Sequence, residues 1–169
     1  VMARLRRPGR VLDVGCGTGR ALNVVLQWPT TYLGVDISQS AIEKCAHGPR
    51  AAFREADIRE LKFYEKFDGV IALGIVHHYP ALERRIILMN CSRALRVGGL
   101  LFVSQFSRWD PQFGGGPTRV SKTTGETTYA ASVTWNNLAL RSSRLKVLRR
   151  RIHPLIDGDG SKRVWETTI

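Results

Sequence analysis

The stretch Arg10–Gly19, R-V-L-D-V-G-C-G-T-G, constrains this chain more than any other. Val11, Leu12 and Val14 form a short apolar run, rich in β-branched residues, of the kind that makes a buried central strand. The run carries one acid, Asp13, and then breaks into glycines at alternate positions, Gly15, Gly17 and Gly19. From Arg20 to Trp28 apolar residues return at helical spacing, as Ala21, Leu22, Val24, Val25 and Trp28. The glycines therefore occupy a strand-to-helix turn. A missing Cβ there permits positive φ and lets a ligand approach backbone N–H groups at a helix start. An ordinary tight turn in an α/β domain has the same local pattern.

The chain then repeats strand and helix. Thr31–Val35 reads as a second strand ending in Asp36-Ile37-Ser38. Ser38 is placed to cap a helix through Ala41, Ile42 and Cys45, which Gly48-Pro49 stops. An acid such as Asp36, at the carboxyl end of a second strand and roughly 20 residues past a glycine turn, can accept hydrogen bonds from both ribose hydroxyls. That placement speaks for a nucleoside without saying which one, and an acid satisfying a helix N-terminus would sit there too. Ala51–Glu55 reads as a third strand, followed by Asp57 and Ile58; Asp57 alone reads equally as a loop acid or a helix cap.

Phe67–Leu73 is apolar enough for a buried fourth strand, and Gly74-Ile75-Val76-His77-His78-Tyr79-Pro80 follows it. In an open parallel sheet the loops after the first and fourth strands meet at the topological switch point, where ligands bind. His77, His78 and Tyr79 are thus candidate reactive residues. Pro80 suits a first helical turn. The spacing then predicts a helix over Ala81–Leu95 with Leu82, Ile86, Ile87, Met89, Cys91 and Leu95 inward, and Arg84, Arg85, Arg93 and Arg96 solvated. Val97-Gly98-Gly99 is expected to end it, with a fifth strand over Leu100–Phe106.

Beyond Ser107 the pattern weakens. Residues 108–131 read as a mobile loop, Thr134–Ser142 as a short helix, and Arg144–Ile152 with Arg163–Ile169 as a closing hairpin across Asp157-Gly158-Asp159-Gly160. The expected architecture is α/β, a doubly wound Rossmann-like sheet, mostly parallel with an antiparallel C-terminal strand. One domain spans residues 1–169. It comprises a cofactor-binding core over 10–106, a loop and short-helix substrate region over 107–143, and the hairpin over 144–169.

The glycine turn does not meet the dinucleotide fingerprint G-x-G-x-x-G, because Arg20 fills the third slot and the glycine comes one residue early at Gly19. It resembles instead motif I of class I S-adenosylmethionine-dependent methyltransferases, an acid followed by G-x-G-x-G. The order and spacing of the five strands and the final hairpin resemble that family as well. The resemblance implies S-adenosylmethionine as cofactor, with S-adenosylhomocysteine as product. It implies that Asp13, Gly15, Gly17 and Gly19 hold the methionine end and Asp36 the ribose. Ile37 would pack on the adenine, Asp57 would take its amino group, and the Ile58 N–H would meet its ring. Leu73 and Gly74 would line the sulfonium side. The family's helix before the first strand is only hinted at by Met2–Arg7.

Several acceptors stay open. The N/D-P-P-Y/F motif of exocyclic-amine methylation is absent, and no lysine lies at the ends of the fourth or fifth strands to build the Lys-Asp-Lys-Glu tetrad of ribose methylation. The stretch I-V-H-H-Y-P-A-L-E resembles the F-V-x-H-Y-x-x-x-E segment of messenger-RNA cap guanine-N7 methyltransferases, with His78 and Tyr79 on its His-Tyr pair. A ring nitrogen attacks without losing a proton, so such transfer needs alignment and no general base. A small-molecule O- or C-methyltransferase would instead use His77 or His78 as the base. The longer run I-V-H-H-Y-P-A-L-E-R-R is similar to the H-H-x-x-x-x-E-R-R of transfer-RNA wobble-uridine methyltransferases. A cofactor-binding pseudoenzyme or an RNA-binding module on the same fold is the non-enzymatic reading.

Charge favours RNA among these. The chain carries 26 Lys and Arg against 14 Asp and Glu, a net charge of +12. Residues 107–169 alone hold eleven bases and five acids. That excess suits a polyanion such as RNA, best a capped 5′ end, bound through a basic surface. Cys16, Cys45 and Cys91 are odd in number and lack metal-ligand spacing, so no metal site is expected and the thiols read as reduced, in the cytoplasm. No apolar run reaches the roughly 18 residues of a membrane span, and the basic start lacks the apolar core of a secretory signal. A leading Val with a strand almost at once suggests a domain excised from a longer chain, such as a viral polyprotein.

Overall fold

The computed structural model describes residues 9–107, 109–111, 117–120, 124–129, 145–156 and 162–168; at 150, 153–156 and 162–168 it describes the backbone alone. Backbone contacts divide the chain into two compact units, Val1–Leu73 with Asn90–Phe102, and Gly74–Met89 with Val103–Ile169.

The first unit is built on parallel strands. β1 (Gly9–Val14), β2 (Thr30–Asp36), β3 (Ala51–Glu55), β4 (Phe67–Leu73) and the start of β5 (Leu95–Phe106) lie in the order β3-β2-β1-β4-β5. β2 runs parallel to β1 and to β3, and β4 parallel to β1. β1 is central, with Val11, Leu12 and Val14 wholly removed from solvent. Val11, Tyr32, Ala51 and Ile71 share one sheet face and pack with Leu22 and Val25 of α1 (Leu22–Val25).

The helix expected over Arg20–Trp28 is reduced to those four residues. Turns continue through Ala21, and β2 already begins at Thr30, so little chain remains for a helix. α2 (Gln39–Ile42) is as short, and Ser38 caps it as expected, its Oγ accepting from the Ala41 N–H at 3.3 Å.

α3 (Ala81–Ala94) buries the expected face only in part: Ile87 and Cys91 are inward and Arg85 and Arg93 exposed, as expected. Ile87, Leu88, Cys91 and Ala94 are buried, together with Asn90 and the supposedly solvated Arg84; Leu82 is 71% exposed, and Ile86 and Met89 are also exposed. Apolar side chains occur around much of this helix, so periodicity could not select a face. A polar contact does so: Asn90 Nδ2 donates to the carbonyls of Ile58 and Arg59 at 3.1 and 2.8 Å. The helix ends at Ala94, one residue short of the expected Leu95. The Glu65 and Lys66 N–H groups take the Arg93 and Ala94 carbonyls at 2.8 and 2.9 Å, satisfying the helix end. Gly98 and Gly99 consequently fall inside β5, which begins at Leu95.

The second unit contains a 3-10 turn (Val76–His78), the end of β5, a small hairpin of β6 (Thr118–Val120) and β7 (Thr127–Tyr129), and β8 (Arg150–Ile156) with β9 (Lys162–Thr168). β9 runs antiparallel to both β5 and β8. Part of the region expected to be a loop is therefore the β6–β7 hairpin. The closing hairpin starts six residues later than expected in its first strand, at Arg150 in place of Arg144. The expected helices at 134–142 and 2–7 lie outside the described residues. The whole is the expected Rossmann-like α/β fold, a mostly parallel sheet with an antiparallel C-terminal pair. No helix among the described residues is long and apolar enough to cross a membrane.

Gly34 of β2 lies beneath the glycine turn: a Cβ there would come within 2.6 Å of Phe53 Cδ1 and 2.8 Å of Cys16 Sγ. Gly34→Ala is expected to destabilise the fold by about 1–3 kcal/mol through overpacking. Urea unfolding of the two proteins measures this; equal midpoints would contradict the packing.

Candidate functional site

The turn that ends β1 has the backbone its glycines foretell. Gly15, Gly17 and Gly19 have φ of +69°, +52° and +79°, in the left-handed region that side chains disfavour. The Gly15 and Cys16 N–H groups both donate to the Val35 carbonyl, at 2.8 and 3.1 Å. The Gly17 N–H donates at 2.8 Å to Oδ2 of Asp36, whose Oδ1 accepts from the Ser38 N–H at 2.9 Å. The carboxylate that closes β2 is thereby tied to the turn that closes β1.

This corner fits a nucleoside. Asp36 is only partly buried, and a carboxylate has about four acceptor sites, of which two are used here. A Cβ on Gly17 would meet no atom within 4 Å, so the backbone at the turn borders open space. Ile37 is 57% exposed, an apolar side chain with no core to fill.

Asp13 behaves differently from the other acid. It is 2% exposed and accepts a 2.5 Å hydrogen bond from the Tyr32 hydroxyl within the core. Burial pushes its carboxyl up to about 7, with the Tyr32 bond opposing the rise and nearby Asp36 adding to it. Asp13 therefore supports the turn from the core side. Sequence reasoning missed Tyr32; the signal was available, since pairing Val11 with Tyr32 puts the phenol on the same sheet face as Asp13.

Two thiols also brace the turn. Cys16 and Cys45 Sγ donate to the Gly17 carbonyl at 3.5 and 3.4 Å. Burial raises both thiols, and pushes Cys91 up to about 12, so all three are protonated near neutrality. All three cysteines are free.

At the end of β3, Asp57 is held by Arg59. The Arg59 Nη2 lies 2.6 Å from Oδ2, and Nε donates to both carboxylate oxygens at 3.0 Å. Hydrogen bonding to that guanidinium keeps the Asp57 carboxyl below the usual range. Arg59 was not anticipated from the sequence. Ile58 is 3% exposed, so what it can offer a ligand is backbone. Leu73, the last residue of β4, is 41% exposed.

In the second unit Gly74, with φ +67°, donates to the Ser104 carbonyl at 2.9 Å. His77 is 3% exposed, its ring centroid 4.2 Å from Phe106 and 4.4 Å from His78. His78 is exposed and Tyr79 half-buried. Of the three candidates, His78 is the imidazole open to solvent, and His77 the ring on which it rests. Arg84 is buried with its guanidinium 5.8 Å from the Tyr129 ring, and desolvation lowers its pKa. Among the described residues, no three His, Cys, Asp or Glu side chains are placed to hold a metal ion.

Known proteins resemble this chain. A family described as "Methyltransferase domain" matches residues 11–99. The chain is 33% identical over 114 residues to 27-O-demethylrifamycin SV methyltransferase of Amycolatopsis mediterranei, covering 62% of this chain and 41% of that protein. It is 36% identical over 101 residues to the probable tRNA methyltransferase 9B of Mus musculus, covering 58% of this chain and 22% of that protein. The chain thus spans well under half the length of these relatives. A SAM-dependent methyltransferase structure from Methanosarcina mazei superposes with a TM-score of 0.83 at 20% identity, covering 98% of this chain and 93% of that one.

The raised Asp13 carboxyl has a consequence for stability. A carboxyl whose pKa rises from 3.8 to about 7 on folding holds its proton more tightly in the native state. Its contribution is present below pH ~4 and is lost as pH climbs through about 7. Asp13→Asn is expected to flatten the fall in unfolding free energy between pH 4 and 7, a change on the order of a few kcal/mol. Chemical denaturation at a series of pH values tests this; parallel profiles for both proteins would refute the assignment.

Proposed function

Because the chain belongs to the methyltransferase domain family, matched over residues 11–99, we propose that it transfers a methyl group from S-adenosylmethionine to an RNA acceptor. The carrying observation is the Asp36 carboxylate fastened to the Gly17 N–H at 2.8 Å, beside glycine backbone that borders open space. In this reading Asp36 takes the ribose hydroxyls of the donor, and the glycine turn admits its methionine end. Ile37 packs on the adenine, and Asp57 with the Ile58 backbone recognises its edge. Leu73 and Gly74 border the sulfonium. Asp13 acts at one remove, fixing the turn through Tyr32. The bound cofactor supplies an electrophilic methyl group on sulfur.

RNA is supported by the net charge of +12 and by the 36% identity to a probable tRNA methyltransferase. The run His77-His78 through Glu83-Arg84-Arg85 supports a transfer-RNA acceptor first; the cap guanine N7 is the second candidate. Esterification of a wobble-uridine side chain uses a carboxylate oxygen, which, like a ring nitrogen, attacks with a lone pair and needs no proton removed. His78 and Tyr79 then orient the acceptor, with His77 holding His78 in place. A second reading, methylation of a small-molecule hydroxyl, is favoured by likeness to the rifamycin enzyme; there His78 removes the hydroxyl proton.

Radiolabelled methyl transfer across pools of transfer RNA, capped RNA and small phenols separates these readings. Label in RNA, with no histidine ionisation in the pH–rate profile, is the expected result. Label in phenols alone, with a limb near the histidine pKa, would replace it with the second reading. Asp36→Ala is expected to weaken cofactor binding by about 10- to 100-fold, the worth of a charged hydrogen bond. Unchanged affinity by calorimetry would remove the ribose assignment.

A further inference from the structure

We propose that Cys16 and Cys45, beneath the glycine turn of the first unit, are an oxidation site where a hydroperoxide forms a disulfide that weakens cofactor binding. The inference rests on the cofactor-site reading above and adds a means by which that site is switched off.

The two thiols come from different elements and converge on one atom. Cys16 lies in the turn after β1, and Cys45 just beyond α2. Their sulfurs donate to the same Gly17 carbonyl, at 3.5 and 3.4 Å, and the Cys16 thiol also hydrogen-bonds Cys45. Cys45 Sγ reaches the Ala41 carbonyl as well, at 3.5 Å. Glycines make room for both: a Cβ on Gly34 would lie 2.8 Å from Cys16 Sγ, and one on Gly19 3.6 Å from Cys45 Sγ. Two sulfurs already in hydrogen-bond reach need little movement to bond covalently. Cys91, the third free thiol, is buried in α3, and neither of the other two is among the groups that shift it.

Methyl transfer makes no use of these thiols. Burial raises both, with Asp13 and Asp36 adding to the rise, and at Cys45 the hydrogen bond from Cys16 opposes it. Cys45 is therefore the readier thiolate, and protonation keeps the reaction slow while the turn is closed. With hydrogen peroxide the Cys45 sulfur attacks one oxygen and the O–O bond breaks. Hydroxide leaves and takes up the proton Cys45 released, and Cys45 becomes a sulfenic acid. Cys16 then attacks that sulfur, the S–O bond breaks, and the leaving hydroxyl departs as water with the Cys16 proton. Two thiols lose two electrons, and the peroxide is reduced to two waters.

The disulfide acts on the cofactor site through Gly17. A disulfide sulfur carries no hydrogen, so the Gly17 carbonyl loses both thiol donors at once. The N–H of the same residue holds Asp36 Oδ2 at 2.8 Å, and does so at a φ of +52°. Drawing the sulfurs together pulls on the turn that aims this N–H, and the ribose acid loses the group that fixes it. Bound cofactor, by holding the turn, slows the oxidation in return.

The test treats the reduced full chain with hydrogen peroxide, with and without S-adenosylmethionine. Each sample is then mapped by mass spectrometry and titrated with cofactor by calorimetry. A Cys16–Cys45 peptide lighter by two hydrogens is expected, with Cys91 still open to alkylation after denaturation, and less of it where cofactor was present. Cofactor affinity is expected to fall about tenfold, the worth of a hydrogen bond to a charged group, and to return on reduction with dithiothreitol. Cys45→Ser and, as a second variant, Cys16→Ala are expected to show equal affinity before and after peroxide; circular dichroism establishes that each is folded. Absence of the cross-link, or a cross-link that leaves affinity unchanged, would overturn the proposal. So would a peroxide-induced loss of affinity that persists in both variants. Reduced wild type that binds no cofactor would overturn the cofactor-site reading together with this consequence of the disulfide, while the mass map still reports whether the pair bonds.

Discussion

The hydrogen bond from Gly17 to Asp36 joins two strand ends that the chain visits nineteen residues apart. It can form only because Gly17 adopts a left-handed φ, turning its N–H toward the neighbouring strand. Gly15 and Cys16 add two more donors to the Val35 carbonyl, so the turn is laced to β2 along its length. Beneath it lie the Asp13 carboxyl, the Tyr32 phenol and two protonated thiols, a polar cluster satisfied internally and closed to solvent. On the other side of the turn a Cβ on Gly17 would meet no atom within 4 Å.

The second unit shows a comparable division of labour between neighbours in sequence. His77 and His78 share a 3-10 turn, which sends consecutive side chains in different directions. One ring goes into the core against Phe106, and the other faces outward. A doublet that reads as two equivalent bases becomes one exposed imidazole and one buried ring lying against it. Arg84 undergoes a similar reassignment: a charge expected in solvent is buried beside Tyr129, where desolvation works against it.

Buried polar contacts decided the points on which periodicity was silent. α3 has apolar residues around much of its circumference, so several faces would have satisfied the hydrophobic effect about equally. Asn90 has only one orientation in which its amide meets the Ile58 and Arg59 carbonyls. An unmet amide in the core costs about 1–3 kcal/mol, enough to override a weak preference among apolar faces. The early end of α3 has the same origin, since its last carbonyls were claimed by Glu65 and Lys66 from a distant part of the chain.

The sequence by itself determined the strands of the first unit, the glycine turn and the acid at the end of β2. These depend on local rules: β-branched runs for buried strands, glycine for left-handed φ, and the short reach between consecutive parallel strands. It determined the Ser38 cap for the same reason. Only the tertiary structure decided that Asp13 and Asp36, both acids at strand ends, face opposite ways, one toward Tyr32 in the core and the other toward solvent. Likewise only packing buried His77 against Phe106 while exposing His78, and buried Arg84 beside Tyr129. Each of these is settled by which distant group arrives to satisfy a charge or a hydrogen bond, and that information is not carried by spacing along the chain.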